Sequence, residues 1–396
     1  MLCRFSFSNF QSFREWTQVN WLLDGKVPEA VWSTRSPSGA RASTVMAIIG
    51  PNASGKTALL KPLLFLHWFV SQSFNAEPIA PLPLMAHFAT PDSPTEFEVE
   101  LMLLGRLWRY TLRCTRTRVL HEALYVRRKR MSYVFVREWS ESEQAYRVKQ
   151  QDFDLAPAEA RKARPNASLL ATAAQYGVPQ AQELLQAMRV YSNVNWIGRQ
   201  TTPDQLVVAA DHFAREDELR RQAVELLKHW DLGLSDVQLR EIEADAPSAD
   251  GKRQKIWYPM GMHRIAGDRT AELPFALESS GTQSAFVLLH HLLPALQTGG
   301  LAVIDEFEND LHPHMLEPIL GLFADTKTNP RGAQLLFSCH AMEVLNVLHK
   351  SQVMLVEKNE SNESSAWRMD SVTDIRSDDN FYAKYMAGAY GAVPQL

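Results

Sequence analysis

TVMAIIGPNASGKTALL, residues 44–60, decides how this chain is read. Thr44 to Ile49 form a short apolar, partly β-branched run, which predicts a buried strand. It passes straight into Gly50-Pro51-Asn52-Ala53-Ser54-Gly55-Lys56-Thr57, and Ala58, Leu59, Leu60, Leu63 and Leu64 then begin a helix. The spacing is G-x-x-x-x-G-K-T, set between a strand and a helix. Gly50 and Gly55 let the backbone curl so that its N–H groups converge on phosphate oxygens. The helix N-terminus adds a partial positive charge. Lys56 is placed to reach the outer phosphates, and the Thr57 hydroxyl suits a Mg²⁺ ion. ATP with Mg²⁺ is therefore the expected ligand pair.

Working outward, LAVIDE at 301–306 is an apolar strand ending in two acids. Asp305 is expected in the Mg²⁺ shell, and Glu306 is expected to orient and deprotonate an attacking water. ESSGTQ at 278–283 precedes an apolar helix. Ser280 is the expected N-cap, with outward N–H groups that suit a phosphate. One chain already has its phosphate loop, so Ser279, Ser280, Gly281 and Gln283 are assigned to the γ-phosphate held by a second subunit. Glu308-Asn309-Asp310-Leu311-His312-Pro313 follows the acids, and His340 ends the strand QLLFSCH, placed to reach the γ-phosphate.

Together, Gly50–Thr57, Ser279–Gln283, Asp305-Glu306, Asn309–Pro313 and His340 resemble the Walker A, signature, Walker B, D-loop and switch-histidine motifs of ABC-type ATPases. The branch resembled is the soluble one: RecF, the SMC-like ATPases and the ATPase domain of OLD proteins. FSNFQSF near the N-terminus, SSGTQ, the LHP after the acids and FYAKYMAGAYGAVP near the end look like bacterial OLD-like ATPases. The resemblance implies an α/β P-loop ATPase head that dimerises through composite ATP sites, with Glu306, His340 and Lys56 as catalytic groups. It also implies a separate effector, a nuclease or toxin, in bacterial anti-phage defence. A RecF- or SMC-like DNA-binding repair ATPase is the alternative. The signature reads SSGTQ rather than LSGGQ, so Ser279 or Ser280 supplies its serine contact. No glutamine is assigned to a Q-loop, which is expected near the end of the β-meander or in the helical insert. OLD nucleases also carry a TOPRIM domain, and the residues after His340 are too few for one, so nuclease chemistry is expected in another chain.

The remaining chain of 396 residues is ordinary in composition, at 45% hydrophobic and 22% charged, with net charge −4. This gives no global nucleic-acid signature. Three scattered cysteines, Cys3, Cys114 and Cys339, have no metal-binding spacing and suit a reducing cytoplasm. No leader and no membrane span are expected. Residues 4–10 and 14–21 are read as a hairpin, and 24–43 as a loop that either touches the nucleotide base or lies on the surface. Five period-two segments between 95 and 150 form a β-meander. Along it run Arg106, Arg109, Arg113, Arg116, Arg118, Arg127, Arg128, Lys129 and Arg130, either a phosphate-binding face or a solvated sheet face. Residues 157–232 read as helices, interrupted by a polar loop at 191–204, and a hairpin is expected around 245–251. The expected organisation is an N-terminal ATPase lobe (1–115), the meander end with a helical subdomain (116–235) and a C-terminal ATPase lobe (236–396).

Overall fold

The computed structural model describes residues 1–199, 205–230, 232–247, 253–373, 375–376 and 379–394. The chain opens with an antiparallel hairpin, β1 (Leu2–Ser8) and β2 (Thr17–Asn20), in which Phe5 faces Val19. Three short strands, β3 (Leu22–Leu23), β4 (Ser33–Arg35) and β5 (Arg41–Ser43), form a small sheet. Then β6 (Val45–Ile49) leads through the phosphate loop into helix α1 (Lys56–Gln72). The meander is β7 (Thr95–Leu103), β8 (Arg106–Cys114), β9 (Val119–Arg127), β10 (Met131–Ser140) and β11 (Ala145–Gln150). With the opening hairpin it makes one seven-stranded sheet, ordered β11-β10-β9-β8-β7-β1-β2.

Helices α2 (Pro157–Lys162), α3 (Leu169–Gln175) and α4 (Pro179–Ala187) come next, followed by strand β12 (Val190–Ser192). Helices α5 (Gln205–Arg215) and α6 (Asp217–His229) precede the sheet of β13 (Asp236–Pro247), β14 (Arg253–Ile265) and β15 (Arg269–Pro274). The expected hairpin is present as β13 and β14; of its expected turn, 245–251, residues 248–251 lie outside the described residues. Helix α7 (Ser280–Thr298), strand β16 (Leu301–Ile304), helix α8 (Leu316–Gly321), strands β17 (Gln334–Cys339), β18 (Val353–Lys358) and β19 (Ser364–Arg368), and helix α9 (Phe381–Met386) complete the chain.

A six-stranded sheet carries the site, in the order β12-β16-β17-β6-β18-β19. Its first five strands are parallel and β19 is antiparallel. β6, β16 and β17 are buried along their whole length, as expected of strands covered on both faces. The period of two divides their side chains. Met46, Ile48, Leu301, Val303 and Leu336 enter a core shared with α1 and the seven-stranded sheet. Val45, Ala47, Ile49, Ala302, Ile304, Leu335 and Phe337 enter a second core under α7. Helix α1 therefore lies between two sheets, with Phe65 stacked on Phe97 at 5.2 Å. This is the mixed α/β head with an antiparallel lobe that the sequence predicts.

The helical stretch 157–232 divides between these cores. α3 and α4 bury Leu169, Leu170 and Leu184 beside α1, whereas α5 and α6 bury Phe213, Leu219 and Leu227 beside α7. The 24–43 segment is not near the phosphate loop. Thr34 packs where Gly332 precedes β17, at the amino end of the parallel strands, while the phosphate loop leaves their carboxyl end. The reason is connectivity: β5 runs almost directly into β6, which fixes β3 to β5 at that end. Two smaller expectations also change. The helix expected at 341–349 is a 3₁₀ turn at Met342–Asn346, and part of the polar loop 360–366 belongs to β19.

A buried ion pair fastens the helices to the meander. Arg137 and Glu122 are both 0% exposed. Glu122 accepts from Tyr110 Oη, Ser168 Oγ and the Leu169 amide, and Arg137 donates to the carbonyls of Ala163, Arg164 and Ala167. With its two charges paired and these hydrogen bonds made, the pair avoids most of the penalty that isolated buried charge carries, although Arg137 Nε has no partner.

Candidate active site

The phosphate loop has the geometry its glycines predict. Gly55 sits at φ +114°, and a Cβ there would lie 2.5 Å from Ser364 Oγ. A Cβ on Gly50 would lie 2.1 Å from the Val356 carbonyl oxygen. Both positions exclude any larger residue. Behind the loop, Ser364 Oγ donates to the Ser54 carbonyl at 2.6 Å and shares a second hydrogen bond with the Ser12 hydroxyl at 2.8 Å. Helix α1 carries no capping side chain at its N-terminus, so its first-turn N–H groups point into the loop without a side-chain acceptor. Asn52 and Ala53 are exposed at the tip, with Pro51 beside them. Lys56 Nζ donates to the carbonyls of Gly50 and Pro51 at 2.8 and 2.9 Å. Burial lowers the Lys56 pKa, and the charges of Glu308, Asp305 and Glu306 oppose that shift.

Three neighbouring parallel strands, β16, β17 and β6, deliver the acids, His340 and the phosphate loop to one sheet edge. Thr57 Oγ1 donates to Asp305 Oδ2 at 2.8 Å. Asp305 is only 3% exposed, and its other oxygen accepts from Ser338 Oγ at 2.5 Å. Ser338 Oγ in turn accepts the Glu306 amide at 2.8 Å. Asn193 grips Asp305 from the far side. Its Oδ1 accepts the Asp305 amide at 2.8 Å and its Nδ2 donates to the Asp305 carbonyl at 3.0 Å. Glu306 stands in the left-handed region at φ +51°, and its carboxylate is paired with the Arg199 guanidinium. Glu308 accepts the His340 amide at 2.5 Å. His340 is exposed and continues directly from β17. Burial, reinforced by Glu308, pushes the Cys339 thiol pKa up, so this cysteine is a packing residue rather than a nucleophile.

Thr57 and Asp305 present a hydroxyl and a carboxylate 2.8 Å apart, hard oxygen donors of the kind Mg²⁺ takes. The glycine cradle and the uncapped helix end fit a triphosphate. The residues present therefore fit both groups.

The 278–283 segment is a capped helix start, but Ser279 rather than Ser280 is the cap. Its hydroxyl accepts the Thr282 amide at 3.2 Å while its backbone is extended (ψ 150°). A short 3₁₀ turn at Phe275–Leu277 sets the chain direction one residue earlier than the serine pair suggests. Ser280 is then the first helical residue, and both serines are exposed. A Cβ on Gly281 would lie 2.8 Å from the Asp310 carbonyl, so the glycine allows the 308–311 loop to pass close. Gln283 Nε2 donates to the Glu278 carbonyl at 2.9 Å. Among the described residues no hydrogen bond joins Ser279–Gln283 to the phosphate loop of the same chain.

The family described as "AAA domain, putative AbiEii toxin, Type IV TA system" matches residues 45–346. The chain belongs to this family. No curated protein matches the sequence. Among solved structures, the SMC head domain from Thermotoga maritima is similar at 13% identity and TM-score 0.45, covering 93% of this chain and 98% of that one. An SMC head bound to the C-terminal winged-helix domain of ScpA is similar at 11% identity and TM-score 0.46, covering 94% and 99%.

Several residues of this AAA domain's site escape the sequence reading. Asn193 and Arg199 lie in what reads as a polar loop; residues 200–204 of that loop lie outside the described residues. Strand β12 places them, because it joins β16 in parallel and ends at Ser192, one residue before Asn193. Ser338 reads as an ordinary strand residue, and its one signal is being the only hydroxyl in LLFSC. The basic cluster is partly neutralised. Arg109 is paired with Glu100 at 2.7 Å, Arg128 with Asp152 at 2.8 Å, and Arg118 lies over the Trp139 ring at 4.2 Å. Among the described residues, no helix is long and apolar enough to cross a membrane.

Proposed function

We propose that this AAA domain hydrolyses ATP and works as an ATP-dependent switch that joins two copies and controls a separate effector. The chain of contacts Thr57–Asp305–Ser338–Glu306 carries the reading, because it links the phosphate loop to the acid pair in one connected network. Gly50 to Thr57 would hold the phosphates. Mg²⁺, held by Thr57 and Asp305, would neutralise charge on the β- and γ-phosphates. Glu306 would take a proton from water as the water oxygen attacks the γ-phosphorus. The bond to the bridging oxygen then breaks, and ADP and phosphate leave. Lys56 would leave the Gly50 and Pro51 carbonyls for the phosphate, and His340 would face the γ-phosphate from the next strand.

The exposed start of α7 supports the shared site. Ser279, Ser280, Gly281 and Gln283 would close over the nucleotide of a second copy, which explains why they make no hydrogen bond to their own phosphate loop. The family description is compatible with a role beside a toxin and in anti-phage defence. DNA is the alternative partner, through those arginines of the meander that no acid neutralises.

The test is Glu306→Gln, purified with ATP and Mg²⁺. Hydrolysis should stop while ATP binding persists, and the protein should run as a dimer or larger assembly that ADP dissolves. A monomer at saturating ATP would defeat the shared-site reading. A second protein co-purifying with the trapped assembly identifies the effector, whereas nucleic acid alone in it turns the reading to DNA.

A further inference from the structure

Arg199 reaches Glu306 from a small, well-braced device. After β12, the chain turns back on itself between Val194 and Arg199, which form an antiparallel bridge. Asn195 Oδ1 accepts the amides of Ile197 and Gly198 at 2.8 and 3.0 Å and so closes the turn. The device stands on both halves of the site. Ser192 Oγ donates to the Val303 carbonyl at 2.6 Å, and Asn193 grips Asp305. On the other side, the Trp196 ring lies 5.1 Å from Trp68 of α1. The Arg199 side chain is 24% exposed and that of Glu306 45%, so their pairing orders groups that water could otherwise reach.

We propose that Arg199 is a brake on Glu306, released when a second copy docks. The inference rests on the reading of Glu306 as the base that activates water. A carboxylate whose oxygen is held by a guanidinium is not free to accept a proton from water, and the pair also turns the side chain toward Arg199. The pair faces a cavity of about 360 Å³, lined by Gln283 and Ser284 of α7 and by Asn309 and Asp310 of the following loop. Gln283 belongs to the segment assigned to the contact between two copies, and Asn309 and Asp310 line the same cavity beside it. A second copy pressing on that cavity therefore acts where Arg199 holds Glu306, and docking and hydrolysis become coupled. Arg199 is accordingly a positioning residue that acts through Glu306.

The experiment measures ATP hydrolysis against protein concentration for the wild type, Arg199→Ala, Arg199→Lys and Glu306→Gln. The expected result is a wild-type rate per chain that rises with concentration, and an Arg199→Ala rate at low concentration raised about fivefold, the upper end of what a part-exposed ion pair is worth. Arg199→Lys keeps a charge without the planar fork and should fall between them. Arg199→Gln keeps length and should match the alanine variant, which covers loosening of the turn by alanine. If Arg199→Ala and Arg199→Gln hydrolyse ATP at or below the wild-type rate at low concentration, the brake is overturned. If the wild type does not hydrolyse ATP, or Glu306→Gln still does, the proposed function itself fails.

Discussion

Replacing Ser338 by alanine separates the site's wiring from its phosphate cradle. The Ser338 hydroxyl is fully buried, gives its proton to Asp305 Oδ1 at 2.5 Å and receives the Glu306 amide at 2.8 Å. Alanine leaves an ionised carboxylate oxygen and a backbone N–H without that partner. The cost in folding stability is about 2–4 kcal/mol, from one bond to a charged group and one orphaned buried amide. For a chain of this size the corresponding fall in Tm is about 3–5 °C. The kinetic effect should be larger. Glu306 lies at φ +51° and depends on its amide bond for orientation, and a displacement of about 1 Å at a reacting group costs on the order of 100-fold. Steady-state hydrolysis should show kcat down about 10- to 100-fold with KM for ATP little changed, because among the described residues the Ser338 side chain hydrogen-bonds Asp305 and Glu306 and not the phosphate loop. Ser364→Ala is the counterpart. It removes the bond behind the loop to the Ser54 carbonyl, so it should raise KM and leave kcat nearly unchanged. Ser338→Ala with kcat within twofold of the wild type, in folded protein, would refute the argument that Ser338 sets the two acids.

Two further predictions concern stability. Glu122→Ala strands a fully buried Arg137 and three hydrogen-bonded groups, Tyr110 Oη, Ser168 Oγ and the Leu169 amide, so it should cost about 3–5 kcal/mol by denaturant titration, whereas replacing both partners with apolar residues of similar volume should cost much less. His290 and His291 are half-buried on α7, with pKa values lowered to about 3 and about 4 by removal from water and by neighbouring imidazoles, and His212 Nδ1 bonds His290 Nδ1 at 2.8 Å. Because the folded pKa values are depressed, the unfolded chain takes up protons first as pH falls below about 6.5. Stability is thus complete above that pH and falls toward pH 4, by about 1.4 kcal/mol per pH unit for each histidine. Replacing both histidines with glutamine should flatten that slope in pH-dependent melts, and an unchanged slope between pH 6.5 and 5 would show that other groups cause it.

What could be read from the sequence follows the reach of each signal. The phosphate loop is local, and its strand, glycines and helix all lie within residues 44–60, so pattern and chemistry agree in one glance. The meander is equally plain, because β7 to β11 alternate with short turns and each strand pairs with the next. The helices of 157–232 are visible by composition, yet an apolar face does not name the surface that will cover it, and α3 and α5 end in different cores. Ser280 looks the better cap until the 3₁₀ turn at Phe275–Leu277 advances the helix start by one residue. Asn193 and Arg199 were out of reach for a sharper reason. Their partners, Asp305 and Glu306, are 112 and 107 residues away, and the strand that aligns them, β12, is three half-buried residues long. A strand that short has no period to detect and is held by its neighbour instead, through the Ser192 bond to Val303 and the Asn193 bonds to Asp305. The same dependence gives the segment its proposed use. A strand held mainly by the acid-bearing strand must follow any movement of that strand, which is the property required of an element that releases Glu306 when the site closes.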